Sequence, residues 1–164
     1  MKKMIMMFLM MVGVMAHASS ADYNVRDYGA KGDGKTLDHQ AINAAIDSCV
    51  AHGGGRVVVP AGTYLCGSIR MKSHVELHLS AGAKILAAPA SMKAYDEAES
   101  WEGPAYQDGG HTYFKNSLIY AIGQEHVSIT GRGMIDGQGL TKKDTEKGGV
   151  VNGGNIGTGD KAIA

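Results

Sequence analysis

Gly29-Ala-Lys-Gly-Asp-Gly-Lys-Thr36 has the letters of a phosphate-binding loop, with a short extended run before it and a helical pattern after it. In that chemistry backbone amides and Lys35 cradle phosphates while Thr36 holds magnesium. The surroundings oppose it. The preceding run alternates and is polar, unlike the buried strand of a nucleotide-binding sheet, and the strand after the helix ends at Val59-Pro60, where an acidic partner for the magnesium is wanted. His74, Glu76 and His78 share one face of a strand, opposite Val75, Leu77 and Leu79. Two imidazoles and a carboxylate are a zinc ligand set. That face points away from the core, however, and no outer shell of hydrogen bonds surrounds it. Glu99 and Glu102 flank Trp101 in the manner of a glycosidase acid and base, yet they sit in an acidic run and not on a rigid element. Solvated polar faces account for both groups, and neither a metal nor any other cofactor is expected. No serine nucleophile elbow is present, and neither cysteine lies in a catalytic signature.

The elements that would position reactive groups begin with one helix. Apolar residues at Leu37, Ala41, Ile42, Ala45, Ile46, Cys49 and Val50 paint a single face, which predicts an amphipathic helix over 37–51. Thr36 is its expected N-cap, and Gly53-Gly-Gly55 ends it. A short strand is expected over Tyr23 to Tyr28, before a Gly-rich turn. After the helix come brief β-rich runs: Arg56 to Pro60, Thr63 to Cys66, Ser68 to Met71, Val75 to Leu79, Lys84 to Leu86, Leu118 to Ile122, Val127 to Thr130 and Met134 to Asp136. His74-Val-Glu-Leu through Gly82-Ala-Lys-Ile85 resembles His126-Val-Ser-Ile through Gly131-Arg-Gly-Met-Ile135. Short strands, tight glycine turns and a loose repeat suit a parallel β-solenoid, whose coils bury their aliphatics only against the next coil. The helix would then cover the open first end. A β-sandwich is the structural alternative.

Between the runs lies an insertion, 88–116, holding the only Trp together with Tyr106, His111, Tyr113 and Phe114. Such a segment is either the wall of a binding cleft or a solvated loop pinned by its own aromatics.

The chain has 164 residues, 44% hydrophobic and 20% charged, with 16 basic side chains balancing 16 acidic ones. One domain fits that length. The balance argues against nucleic acid or an anionic membrane surface as a partner, since both select clustered Lys and Arg. Lys2 and Lys3, the apolar run Met4 to Val14 and Ala16-His-Ala18 read as a secretory signal over 1–18. The run is too short to span a bilayer, so no membrane span is expected after cleavage and a periplasmic or secreted protein is. Export permits a disulfide between Cys49 and Cys66; two buried thiols on neighbouring elements are the alternative.

Tyr23-Asn-Val-Arg-Asp-Tyr-Gly-Ala-Lys-Gly-Asp-Gly34, the Ala41-to-Ile46 helix, Gly53-Gly-Gly-Arg-Val-Val-Val-Pro-Ala-Gly-Thr-Tyr64 and Ser128-Ile-Thr-Gly-Arg-Gly-Met-Ile-Asp-Gly137 together resemble the N-terminal part of pectin-degrading β-helix enzymes. The later blocks, with Leu118-Ile-Tyr-Ala121 and Gly159-Asp-Lys-Ala-Ile-Ala164, are similar to glycoside hydrolase family 28, the polygalacturonases and their relatives. The resemblance implies an all-β right-handed parallel β-helix over 19–164 with helix 37–51 as its N-terminal cap. It implies inverting hydrolysis of α-linked galacturonic acid bonds in pectin, galacturonan or rhamnogalacturonan, by carboxyl groups without a metal. Trp101, His111 and Tyr113 become the expected sugar contacts, by stacking and hydrogen bonding. The family's Asn-Thr-Asp, Asp-Asp, Gly-His-Gly and Arg-Ile-Lys signatures are absent, so the chain is expected to be the inactive first coils of a longer enzyme, with the catalytic carboxylates beyond residue 164. A β-eliminating pectate lyase and a non-catalytic, carbohydrate-binding or tailspike-like β-helix are the alternatives.

Overall fold

The computed structural model describes residues 22–97, 114–138 and 163–164; the segment read as a signal lies outside them. Ten strands and one helix follow in order: β1 Asp22–Asn24, β2 Asp33–Leu37, α1 His39–Ala51, β3 Gly55–Val59, β4 Gly62–Cys66, β5 Ile69–Arg70, β6 Val75–Leu79, β7 Ala83–Ala87, β8 Ile119–Tyr120, β9 Ser128–Gly131 and β10 Met134–Asp136. Every pairing between them is parallel. One sheet runs β1-β3-β6-β9, a second β10-β7-β4-β2, and a third pairs β5 with β8. Ile163 extends the third sheet by a parallel bridge to Ile119. The second and third coils therefore visit the three sheets in turn, and the first has α1 in place of a third-sheet strand, which is a parallel β-helix.

The coils are held by columns of aliphatic side chains. β6 and β7 alternate buried and half-buried positions, as strands with one face inward must. Val57 pairs with Leu77 and Leu77 with Ile129; Tyr64 pairs with Ile85 and Ile85 with Ile135. The sequence repeat becomes adjacent coils. Glu76 stacks on Ser128, Ile85 on Ile135, and the His74 and His126 rings stack with centroids 5.1 Å apart. Both histidines have left-handed backbone at the same corner, φ 63° and 56°.

The helix closes the first end. Ile42, Ala45, Ile46 and Cys49 are buried in the same core as Val57, Ile69 and Leu77. A coil edge also exposes unpaired amides, and α1 answers this directly. Asn43 Oδ1 accepts from Arg70 N at 2.9 Å, and its Nδ2 donates to Ser68 O at 3.0 Å. One amide side chain thus satisfies the edge of β5 that a further strand would have paired.

Three local expectations change. The strand expected to Tyr28 stops at Asn24, because Asn24 Oδ1 accepts from Arg26 N and turns the backbone into a 3-10 turn over Val25–Tyr28, ended by left-handed Gly29. Thr36 does not cap the helix. It lies in β2, its hydroxyl donating to Asp33 Oδ2 at 2.8 Å. The helix begins two residues later than expected, at His39, after Asp38, whose buried carboxylate instead accepts from Lys31 N and Gly32 N at 2.7 and 2.9 Å.

Asp33 Oδ1 accepts from both Lys35 N and Thr36 N at 2.8 Å. The amides of Thr36 and Lys35, then the Thr36 hydroxyl, hold the Asp33 carboxyl down at about 2. The phosphate-loop letters are thereby explained away: a carboxylate of the chain itself occupies the amides that a phosphate would use. A folded pKa below the unfolded value of about 4 means that stability from Asp33 is present above pH ~4 and is lost as pH falls toward ~2. Urea midpoints measured from pH 5 to 2 should fall more steeply for the wild type than for Asp33→Ala.

Candidate functional site

The polar groups that converge most tightly come from elements the coil geometry brings together: β5, β8, α1 and the first residues of the insertion. Arg70 points outward from the third sheet because its neighbour Ile69 points into the core. It grips Asp96 at two points, Nε to Oδ2 at 2.7 Å and Nη2 to Oδ1 at 2.5 Å. Tyr120, stacked on Arg70 across the β5–β8 pair, donates its hydroxyl to Asp96 Oδ2 at 2.8 Å. Asp96 N donates to Ser68 Oγ at 3.0 Å, and that hydroxyl lies 3.1 Å from Lys115 O and 2.9 Å from Ser117 O. Ser68 thus ties the outgoing and returning ends of the insertion to one strand.

Burial raises the Asp96 carboxyl, but the Arg70 guanidinium and the Tyr120 hydroxyl outweigh it and hold the group below its ordinary range. Burial, and then the Asp96 charge, push the Tyr120 phenol up to about 12. Asp96 raises the Arg70 guanidinium, which stays cationic. Burial lowers the neighbouring His39 imidazole against the pull of Asp96, and its Nδ1 is buried without a hydrogen-bond partner among the described residues. Tyr95 is buried and donates to Ala88 O at 2.7 Å. The result is an ionised clamp on the outer side of the third sheet, with the Arg70 side chain exposed and Asp96 mostly covered.

Trp101, His111 and Tyr113, with Glu99 and Glu102, lie outside the described residues. Glu76 and His78 do face outward together, but they are spent on Thr130, which donates to Glu76 Oε1 at 2.5 Å and sits 2.8 Å from His78 Nδ1. His74 is turned away at the corner against His126. Among the described residues no group of His, Cys, Asp and Glu is arranged to hold a metal ion, and no helix is long and apolar enough to cross a membrane.

The cysteine pairing requires a correction, because Cys49 and Cys66 are both buried free thiols. Cys66 follows Leu65, whose carbonyl accepts from Asp38 N at the start of the helix, and its thiol feels the Asp38 charge. Cys49 is three turns further along, roughly 16 Å at 1.5 Å per residue. A disulfide needs Cα atoms within about 7 Å. Burial raises both thiols, so neither is a ready thiolate. A thiol reagent should label neither cysteine in the folded chain at neutral pH, and both after denaturation without a reductant.

Arg70, Asp96, Tyr120 and Ser68 were not singled out from the sequence. The only signal was the alternation that turned Arg70 outward in an otherwise apolar run; its partners are set by the register of coils and by where the insertion departs.

A capped parallel β-helix with an insertion tied to its third sheet defines the class of fold, and comparison with known proteins narrows it. The rhamnogalacturonase A/epimerase, pectate lyase-like family profile matches residues 23–151, and the chain belongs to that family. It is 35% identical over 132 residues to the exo-poly-alpha-D-galacturonosidase of Dickeya chrysanthemi, covering 76% of this chain and 21% of that protein. The crystal structure of the Yersinia enterocolitica family 28 exopolygalacturonase superposes with a TM-score of 0.58 at 38% identity, over 72% of this chain and 21% of that one. Alginate lyase 7 of Azotobacter vinelandii is 60% identical over a 43-residue stretch, 26% of this chain and 5% of that protein. The chain thus spans about a fifth of the galacturonosidases it matches. The right-handed parallel β-helix and the family 28 kinship expected from the sequence are both borne out.

Proposed function

We propose that the chain is the N-terminal part of an exported, polygalacturonase-like glycoside hydrolase that cleaves α-linked galacturonic acid bonds of pectin with inversion. The observation that carries this reading is the galacturonosidase match over 132 residues, which extends from the cap through the coils and so covers far more than the shared opening block. In this reading residues 1–18 direct export to the periplasm or outside, and α1 with the first coils forms the closed end of the helix. The insertion, with Trp101, His111 and Tyr113, walls the saccharide groove. The acid that protonates the leaving oxygen and the base that activates water, about 6.5–9.5 Å apart in an inverting enzyme, belong to coils beyond residue 164.

The test is reducing-sugar release from polygalacturonate and rhamnogalacturonan. The 164-residue chain should show none. The product of the reading frame extended past Ala164 should release galacturonate whose first-formed anomer is inverted by NMR. Turnover by the short chain would contradict the placement of the carboxylates. The short, strong match to an alginate lyase favours one second reading, a β-eliminase. Unsaturated products absorbing in the ultraviolet would establish it.

A further inference from the structure

Resting on the reading that the parent acts on a uronic-acid polymer, we propose that Arg70 is a carboxylate-binding residue of the substrate groove, its guanidinium aimed by Asp96 and Tyr120 so that its open edge takes a galacturonate carboxylate. Arg70 spends Nε and Nη2 on Asp96 and is also hydrogen-bonded to the Tyr120 hydroxyl, so its guanidinium is held in one plane. Its side chain is 54% exposed although both ends of the ion pair are fixed. A planar guanidinium carries five donors, so one carboxylate held on its side leaves an edge for another. The aiming groups sit on rigid elements: Tyr120 on β8, Arg70 on β5 with its amide held by Asn43 of α1, and Asp96 anchored through its own amide to Ser68. A donor fork held in advance loses little entropy on binding. The place also fits. Ser68, just before β5, ties down both Asp96 and Lys115, and the third sheet continues into the next coil at Ile163, so a polymer lying along that sheet passes Arg70.

The experiment is calorimetric titration of the full 164-residue chain with trigalacturonate and with its uncharged methyl ester. The wild type should prefer the acid by about tenfold or more, the worth of a charge-assisted pair of hydrogen bonds. Arg70→Gln should bring that ratio to about one while leaving methyl-ester binding unchanged, with circular dichroism confirming the fold. Asp96→Asn should lower the acid preference only in part and leave methyl-ester binding as it is, because the guanidinium keeps its charge but is no longer aimed. Should Arg70→Gln not fold, Arg70→Lys serves, since it keeps the charge but loses the second edge and should lose most of the preference. An unchanged ratio in Arg70→Gln, or no acid binding by the wild type, overturns the subsite. A stronger preference for trimannuronate, abolished in Arg70→Gln, overturns the galacturonan reading and leaves the carboxylate contact standing.

Discussion

Ile46→Asp should leave the chain without a cooperative unfolding transition. Ile46 is fully buried on α1, in the same apolar cluster as Val57, Ile69 and Leu77, and no cation stands in that cluster to meet a carboxylate. An unpaired buried charge belongs to the few changes that cost more than about 4 kcal/mol, against a total stability of roughly 5–15 kcal/mol for a domain. The loss should not stay local. The helix is the lid of the first coil, and each later coil is buried only by the one before it. Val50→Asp provides the control one turn further along, because Val50 is 37% exposed and a surface change there should stay within about 0.5 kcal/mol. Thermal unfolding followed by circular dichroism separates the two. A cooperative melt of Ile46→Asp near the wild-type midpoint would mean that the helix is not the lid.

Gly67→Ala should break the clamp without touching a charged group. A Cβ at Gly67 would overlap the Ala94 carbonyl, with Ala94 Cβ also in its path. Backbone cannot swing aside as a long side chain does, so the segment carrying Asp96 must move away from Arg70, Tyr120 and Ser68. Overpacking of this kind costs about 1–3 kcal/mol, and the lost ion pair adds to it. The pattern matters more than the size. Asp96→Asn alone should be destabilising, but in the Gly67→Ala background it should cost much less, because its partners are already parted. A coupling of at least about 0.5 kcal/mol in the double-mutant cycle is expected. Strict additivity, measured by urea denaturation, would mean that Gly67 and Asp96 act separately.

Much of the architecture was legible because a solenoid writes its packing in local patterns. Val75 to Leu79 and Lys84 to Leu86 alternate as strands must, and their echo at Val127 to Thr130 and Met134 to Asp136 is the stacking of one coil on the next. The starts of elements were less legible. Asn24 and Asp33 divert the backbone with their own side chains, and that competition is invisible to hydrophobic periodicity. The clamp was not legible at all: Arg70, Asp96 and Tyr120 lie 26 and 24 positions apart along the chain, on three elements with no common period. Cysteine spacing misled for a related reason. Sixteen intervening residues permit a bridge, whereas the opposite ends of a 13-residue helix do not.

The central claim is that successive coils stack in parallel and in register beneath α1. Backbone NOE spectroscopy of the isotope-labelled chain tests it most directly. The account predicts contacts from the Leu77 amide region to both Val57 and Ile129, and from Ile85 to both Tyr64 and Ile135, with the even spacing of parallel ladders. Close Hα–Hα contacts between neighbouring runs, the mark of antiparallel pairing, would contradict it.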